Sequence, residues 1–216
     1  LRDVASEAGD EELLAWVRAR PYAMVAELGD ERRRVGVIHG DLESLSGWRL
    51  AVELQEPLDH ALRAKLGCSE AATSHSQIRA WGEAASVQAL LCTHTCLPFF
   101  QDVPTTRESA NAPDNGLVVC NNGSAGMPNF SGLTFGLATR VSSDPGIPHD
   151  SLYGLLHRGL RYDAIAISYD QEAWLGQFRS LWPKGSAAYE SYYKRIRYGP
   201  EFAPTQAARG NVQLYV

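Results

Sequence analysis

The sequence predicts a layered α/β fold. Capped helical segments alternate with short strand-like segments along the chain. Two of those segments, residues 89–92 and 117–120, are uninterrupted apolar runs, which is typical of strands buried on both faces. At 216 residues, with 44% hydrophobic and 21% charged residues, the chain is long enough for one sizeable core. We therefore expect a layered sandwich rather than an all-α or all-β protein.

Helix boundaries are marked by capping residues. Asp10, Ser74, Asp170 and Ser186 are each followed by a helical pattern, and Gly67 follows the end of another. Helices are predicted over residues 11–20, 57–66, 78–85, 171–182 and 187–197.

Strands fill the remaining apolar segments. Besides the two buried runs, strands are predicted over residues 23–28, 35–38, 133–141 and 162–169, the first two as a hairpin-like pair. The polar stretch 101–115 predicts a long loop, and loops of that length in a compact domain are often functional.

The composition limits which partners and which cellular compartment are expected for this protein. The net charge of −5 argues against a general nucleic-acid-binding surface, and no apolar run reaches the ~20 residues of a membrane-spanning helix. Four cysteines without a CxxC pair indicate a reducing cytoplasm rather than a disulfide scaffold. The basic aromatic residues within 189–198 favour a packed helix or a subunit contact over nucleic-acid stacking, so a homo-oligomer stays open.

Three apolar runs end in residues that carry chemistry. The run 35–38 leads into His39-Gly40-Asp41, the run 89–92 into Thr93-His94-Thr95-Cys96, and the run 117–120 into Asn121-Asn122-Gly123-Ser124. Ligands bind outside the carboxyl ends of strands in open α/β sheets. His and Cys are ligands for zinc, iron and similar ions, so a polar or metal site is predicted along one edge of the sheet.

Together these three segments resemble the C-terminal motifs of calcineurin-like metallophosphoesterases. In the small bacterial branch of that family, a strand delivers a His-Gly pair such as His39-Gly40. Residues 93–98, Thr-His-Thr-Cys-Leu-Pro, are similar to the Gly-His-Thr-His-x-Pro signature, and residues 118–128 to the closing strand with its Asn-Pro-Gly-Ser turn. The order and spacing of all three agree over residues 11–128.

The resemblance implies an α/β/β/α sandwich and metal-dependent hydrolysis of a small phosphomonoester or phosphodiester. Its cofactors would be two divalent transition-metal ions, drawn from Mn, Fe, Zn or Ni. His39 and His94 would bind the same ion, with His94 also catalytic, and Cys96 would stand where the family has a His for the other ion. Asn122 and Ser124 would contact the substrate.

Three departures from the family pattern affect this interpretation. Cys96 replaces a His, which leaves either a thiolate ligand or a lost position. Thr93 replaces a Gly and Asn122 a Pro, which alters local geometry more than chemistry. For Asp41 two readings stay open: a carboxylate that orients a metal-bound His, or a turn residue after Gly40.

The family's other ligands come from an Asp-x-His, a Gly-Asp pair and a Gly-Asn turn, which do not occur before His39. We therefore expect the first strands of the sandwich to be missing, with residues 1–143 forming the later part of the domain and 144–216 completing or extending it. On this view the chain holds half a dinuclear site, and activity requires residues upstream of Leu1. The alternative is a non-catalytic relative that keeps the fold as a binding or interaction module.

Overall fold

A computed structural model describes residues 8–104 and 116–215 of the chain. Its helices are α1 (Ala8–Arg18), α2 (His60–Leu66), α3 (His75–Ala85), α4 (Gln171–Leu181), α5 (Ala187–Tyr198) and α6 (Pro204–Ala207), with a short 3-10 helix at Val52–Leu54. Its strands are β1 (Ala23–Leu28), β2 (Arg33–Ile38), β3 (Ala89–Cys92), β4 (Phe99–Val103), β5 (Leu117–Asn121), β6 (Gly136–Ser142), β7 (Ser151–His157), β8 (Leu160–Ile167), β9 (Ala208–Arg209) and β10 (Gln213–Leu214).

The strands form two sheets. The larger has the order β1-β2-β3-β5-β4-β9, and the smaller has the order β10-β7-β8-β6. Strands β2, β3 and β5 are parallel neighbours, whereas β1 and β4 are antiparallel to the strands beside them. The apolar runs of β3 and β5 lie at the centre of the larger sheet, as their uninterrupted pattern predicts.

The core lies between the two sheets. The rings of Phe100 on β4 and Tyr153 on β7 meet edge to face with 5.1 Å between their centroids, and both side chains are fully buried. On the other face of the larger sheet, α3 buries Ile78 and Gly82. This arrangement of two sheets and helices confirms the predicted layered α/β class.

Side-chain caps begin the predicted helices as expected. Ser74 accepts a hydrogen bond from the backbone of Gln77, Asp170 caps α4, and Ser186 caps α5. Gly67 ends α2 with a left-handed φ of 64°. These caps are local interactions, which is why sequence spacing alone identifies them.

Other boundaries differ from the sequence predictions. Helix α1 begins at Ala8, so Asp10 lies inside the helix and is not its N-cap. Residues 101–103, predicted as loop, belong to strand β4, where Gln101 is buried because its amide donates to the carbonyl of Glu56. The rest of the predicted loop, 105–115, lies outside the described residues. Strand β7 was not predicted at all.

The chain continues into the second sheet without a break in the core. The predicted boundary at 143/144 falls between β6 and β7, both of which pair with β8 in the smaller sheet. One hydrophobic cluster joins residues of both sheets, whereas Leu175, Phe178 and Ile196 of α4 and α5 form a second, smaller cluster.

The structure also describes the state of the cysteines and the character of the helices. All four cysteines are free thiols. Burial raises the pKa of Cys92 and Cys120, so both behave as small apolar core residues. Within 8–104 and 116–215, no helix has the length and apolar character that a membrane crossing requires.

Two buried tyrosines should respond differently to loss of the hydroxyl group. The Tyr153 hydroxyl has no hydrogen-bond partner among the described residues, whereas the Tyr162 hydroxyl accepts a hydrogen bond from the amide of Gln88 at 3.1 Å. Tyr153→Phe is expected to leave the free energy of unfolding unchanged or raised by up to about 1 kcal/mol, and Tyr162→Phe to lower it by about 1 kcal/mol. Urea denaturation of the two variants tests this, and a larger loss for Tyr153→Phe would contradict it.

Candidate functional site

The three predicted segments meet at one edge of the larger sheet. Because β2, β3 and β5 are parallel neighbours, their carboxyl ends lie in a row. Backbone hydrogen bonds continue beyond the strands: Thr93 donates to the carbonyl of His39 at 3.0 Å, and Asn122 donates to that of Cys92 at 3.2 Å. The strand-end residues are therefore held in register with each other.

Two imidazole rings lie side by side at this edge. The ring centroids of His39 and His94 are 5.1 Å apart, and their planes are tilted by 57°. Trp48, from the loop after β2, meets His94 edge-on with 5.6 Å between centroids. His39 is exposed and His94 is half-buried, so solvent or a ligand reaches the pair from outside.

The backbone after β3 adopts a strained conformation at two predicted site residues. His94 has a φ of 75° and Cys96 a φ of 67°. Thr95 donates to the carbonyl of Thr93, and Leu97 to that of Thr95, at 3.0 and 2.9 Å. A γ-turn has three residues and a hydrogen bond from the N–H of the third to the carbonyl of the first. A positive φ at its central residue gives the rare, strained form of this turn. Two such turns follow each other here, and each unfavourable residue costs about 1–3 kcal/mol.

Buried polar contacts hold this strained loop in place. The hydroxyl of Thr95, which is almost fully buried, accepts a hydrogen bond from the Asn121 amide at 2.7 Å. Arg195 of α5 donates to the carbonyl of Cys96 at 2.7 Å, while its Nε is buried without a partner among the described residues. Burial lowers the pKa of the Arg195 guanidinium, and the nearby Cys96 opposes that shift.

Cys96 points back into its own loop. Its thiol donates to the carbonyl of His94 with 3.2 Å between sulfur and oxygen. The side chain is half-buried. The thiol thus contacts the backbone of His94, while its role as a ligand stays a prediction.

Asp41 organises the loop that carries Trp48. One carboxylate oxygen accepts hydrogen bonds from the backbone of Glu43 and Ser44, both at 2.8 Å, and the other accepts one from Arg49 at 3.1 Å. Gly47 leaves room for the carboxylate, since a β-carbon there would lie 2.0 Å from it. These contacts are those of a turn-forming residue, and a role of Asp41 in orienting a metal-bound His stays a prediction.

Asn122 and Ser124 lie in the turn after β5. The Asn122 amide donates to the carbonyl of Leu137 at 3.3 Å and so ties the turn to β6. The backbone of Ser124 is held by the side chain of Asn129, which accepts its N–H and donates to its carbonyl. The Ser124 side chain is half-buried at the site. Their contact with substrate stays a prediction.

The donor atoms fit a transition metal in part. Imidazole nitrogens bind zinc at about 2.0–2.1 Å, so two rings with centroids 5.1 Å apart can share one ion, and that His39 and His94 do so stays a prediction. Across residues 8–104 and 116–215, however, no three His, Cys, Asp or Glu side chains converge as a metal-binding group. The described chain therefore presents an imidazole pair rather than a complete ligand set.

Two residues of this edge were missed by the sequence analysis. Trp48 reaches His94 because Asp41 shapes the intervening loop, a contact that no local pattern indicates. Arg195 lies 99 residues from Cys96 along the chain, and its basic aromatic neighbourhood points only to a packed helix. Long-range packing alone brings both to the site.

The chain is similar to two solved structures over 88% of its length. One is a hypothetical protein, PH1004, from Pyrococcus horikoshii OT3, with 15% identity, a TM-score of 0.47 and 56% of that chain covered. The other is a metallophosphoesterase from Sphaerobacter thermophilus, with 16% identity, a TM-score of 0.44 and 63% of that chain covered. The chain thus spans less than two thirds of either protein. No protein-family model matches it, and a search of curated proteins finds no match.

Removing the β-carbon at position 96 should relieve strain. Cys96→Gly and Cys96→Ala both delete the thiol, but only glycine adopts a φ of 67° without a steric penalty. We expect Cys96→Gly to be more stable than Cys96→Ala by about 1 kcal/mol in denaturant unfolding, after allowance for the larger backbone entropy of glycine. Equal stabilities would show that the loop relaxes and stores no strain at this position.

Proposed function

We propose that this chain contributes the imidazole pair of a metal-dependent phosphoesterase that hydrolyses a small phosphomonoester or phosphodiester. The carrying observation is the placement of His39 and His94 at the ends of adjacent parallel strands, with 5.1 Å between ring centroids. The order of the three motifs in the sequence supports the same reaction.

In this proposal the histidine pair binds the metal, and the residues around it have separate tasks. His39 and His94 would hold one divalent ion, and a metal ion in such a site polarises phosphoryl oxygens and lowers the pKa of bound water. Trp48 packs against His94 and restricts its ring. Asn122 and Ser124 follow the end of β5, and in this proposal they would contact the substrate from that neighbouring strand end.

The strained loop after β3, which carries His94 and Cys96, would support metal binding in this proposal. His94 belongs to two consecutive tight turns whose shape is fixed by Thr95, Asn121 and Arg195. A ligand residue on a backbone with one allowed conformation loses little entropy when it binds. This preorganisation explains why a strained conformation is kept at a residue of the site.

Replacement of either histidine should abolish metal binding and turnover together. His39→Ala and His94→Ala are each expected to remove bound transition metal and to lower hydrolysis of a chromogenic aryl phosphate by about 100-fold or more, because losing a ligand exceeds the 10–100-fold effect of outer residues. Elemental analysis and a colorimetric assay on the full natural protein measure both quantities.

His149→Ala is the matched control, since its imidazole is almost fully exposed and lies just before β7 of the smaller sheet. The control should retain wild-type metal content and rate. If His39→Ala and His94→Ala behave like His149→Ala, the proposed function is wrong.

A non-catalytic binding module is the second candidate. It is favoured by the fact that the described residues bring no three ligating side chains together and that the Cys96 thiol bonds to its own loop. In such a protein, metal binding would be weak and hydrolysis absent even with every residue intact.

Replacement of Cys96 by histidine separates the two candidates. If Cys96 is a degraded ligand in an enzyme, Cys96→His should raise aryl phosphate hydrolysis several-fold by restoring an imidazole. A working thiolate ligand predicts little change or a loss. Cys96→Ser, which keeps the size of the side chain, is the control, and hydrolysis absent from wild type and both variants would favour the binding module.

A further inference from the structure

A second polar site lies at the opposite edge of the larger sheet. The amino ends of β2, β3 and β5 open into a cavity of about 730 Å³ that is closed on one side by α3 and on another by the β7–β8 turn. His39 and His94 lie at the carboxyl ends of the same strands. The cavity therefore belongs to a different surface from the candidate metal site.

Arginine dominates the lining of this cavity. Among the described residues, five arginines and two glutamates, Glu31 and Glu83, line the cavity, and Glu27 from outside the lining pairs with one of the arginines. This leaves a local excess of two positive charges in a chain whose net charge is −5. The arginines are Arg32, Arg33, Arg34, Arg79 and Arg158.

Not all of these guanidinium groups are engaged. Arg32 pairs with Glu27, Arg33 pairs with Glu31, and Arg79 donates to a backbone carbonyl. In the described parts of the chain, the side chains of Arg34 and Arg158 make no hydrogen bond or ion pair, although Arg34 lies opposite Glu27 in the strand register. Two fork-shaped donor groups are thus available to a ligand.

The turn that carries Arg158 is built at a cost in stability. Arg158 and Gly159 connect β7 to β8 as a two-residue turn in which both have positive φ, 45° and 73°. Asn, Asp or Gly usually occupies the first of these positions. Gly159 fits closely over Arg33, because a β-carbon there would lie 2.5 Å from its guanidinium. One turn therefore both projects Arg158 and confines Arg33.

The end of helix α3 does not account for the arginines. Its C-terminus carries about half a negative charge, which is small against an excess of two positive charges. Its last carbonyls are already satisfied, since Ser86 and Val87 donate to Glu83 and Gly82. The positive charge remains available for a bound anion.

We propose that this cavity binds a small polyanion with two or more linked phosphate groups. Its volume lies within the range of about 300–1,000 Å³ typical of small-molecule sites. Guanidinium groups bind phosphate oxygens through paired hydrogen bonds, and several on one wall suit a chain of phosphates better than a single anion. The ligand class is that of inorganic tripolyphosphate or the phosphate tail of a nucleotide.

Titration calorimetry with inorganic tripolyphosphate tests the proposal. The full chain is used at low salt with EDTA, so that no metal ion at the other edge bridges the ligand. One binding site is expected, with at least tenfold weaker binding in the Arg34→Gln/Arg158→Gln double variant, because charge-assisted hydrogen bonds contribute strongly. Arg18→Gln, which removes an exposed arginine in the last turn of α1, should bind like wild type.

A substitution that strengthens tripolyphosphate binding shows that a loss of binding in the double variant is not due to misfolding of any altered cavity. Glu83 lines the cavity and is exposed, so Glu83→Gln should tighten binding about two- to threefold. His39→Ala should bind tripolyphosphate like wild type, which separates this site from the metal edge whatever becomes of the phosphoesterase proposal. The inference is overturned if orthophosphate binds as tightly as tripolyphosphate, or if the double variant and Arg18→Gln lose affinity equally.

Discussion

The parallel pairing of β2, β3 and β5 is the constraint on which both sites depend. Its register sets Cys92 opposite Asn121 and Val37 opposite Leu91, so the loops that follow emerge side by side. The same register aligns the amino ends of the strands. Because β3 and β5 are buried on both faces, a one-residue slip would turn each side chain into a layer that other side chains already fill, so close packing specifies the alignment. One pairing pattern thus produces an imidazole pair at one edge and an arginine cavity at the other.

The strain at the end of β3 depends on that alignment. His94 and Cys96 keep left-handed backbones only because surrounding contacts over-determine them. Asn121 reaches Thr95 from the neighbouring strand end, and Arg195 reaches Cys96 from a distant helix. Each contact is buried or half-buried, where a hydrogen bond is strengthened by the low dielectric. These contacts fix the backbone of the loop on the side that follows His94.

Sequence reasoning succeeds where the determining interactions are local. The caps at Ser74 and Gly67 and the central strands β3 and β5 follow from short-range patterns. The position of His39 and His94 at adjacent strand ends also follows from sequence, since parallel strands leave few alternatives for where polar residues gather, while their chemistry stays a prediction. Strand β4 was missed because Gln101 looks like a loop residue, and distant partners, the carbonyl of Glu56 and the ring of His75, make its burial tolerable. Contacts of that kind have no local pattern.

The arginine cavity shows why net charge alone misleads about ligands. An overall charge of −5 argues against a broad basic surface, yet electrostatic interactions in salt decay over about 8–10 Å. A small anion therefore responds to the charges that line its cavity and hardly at all to acidic residues on the far side. The lining arginines come from segments around residues 33, 79 and 158, far apart in sequence, so no charge run indicates them. Folding brings into one cavity arginines that are far apart in the sequence.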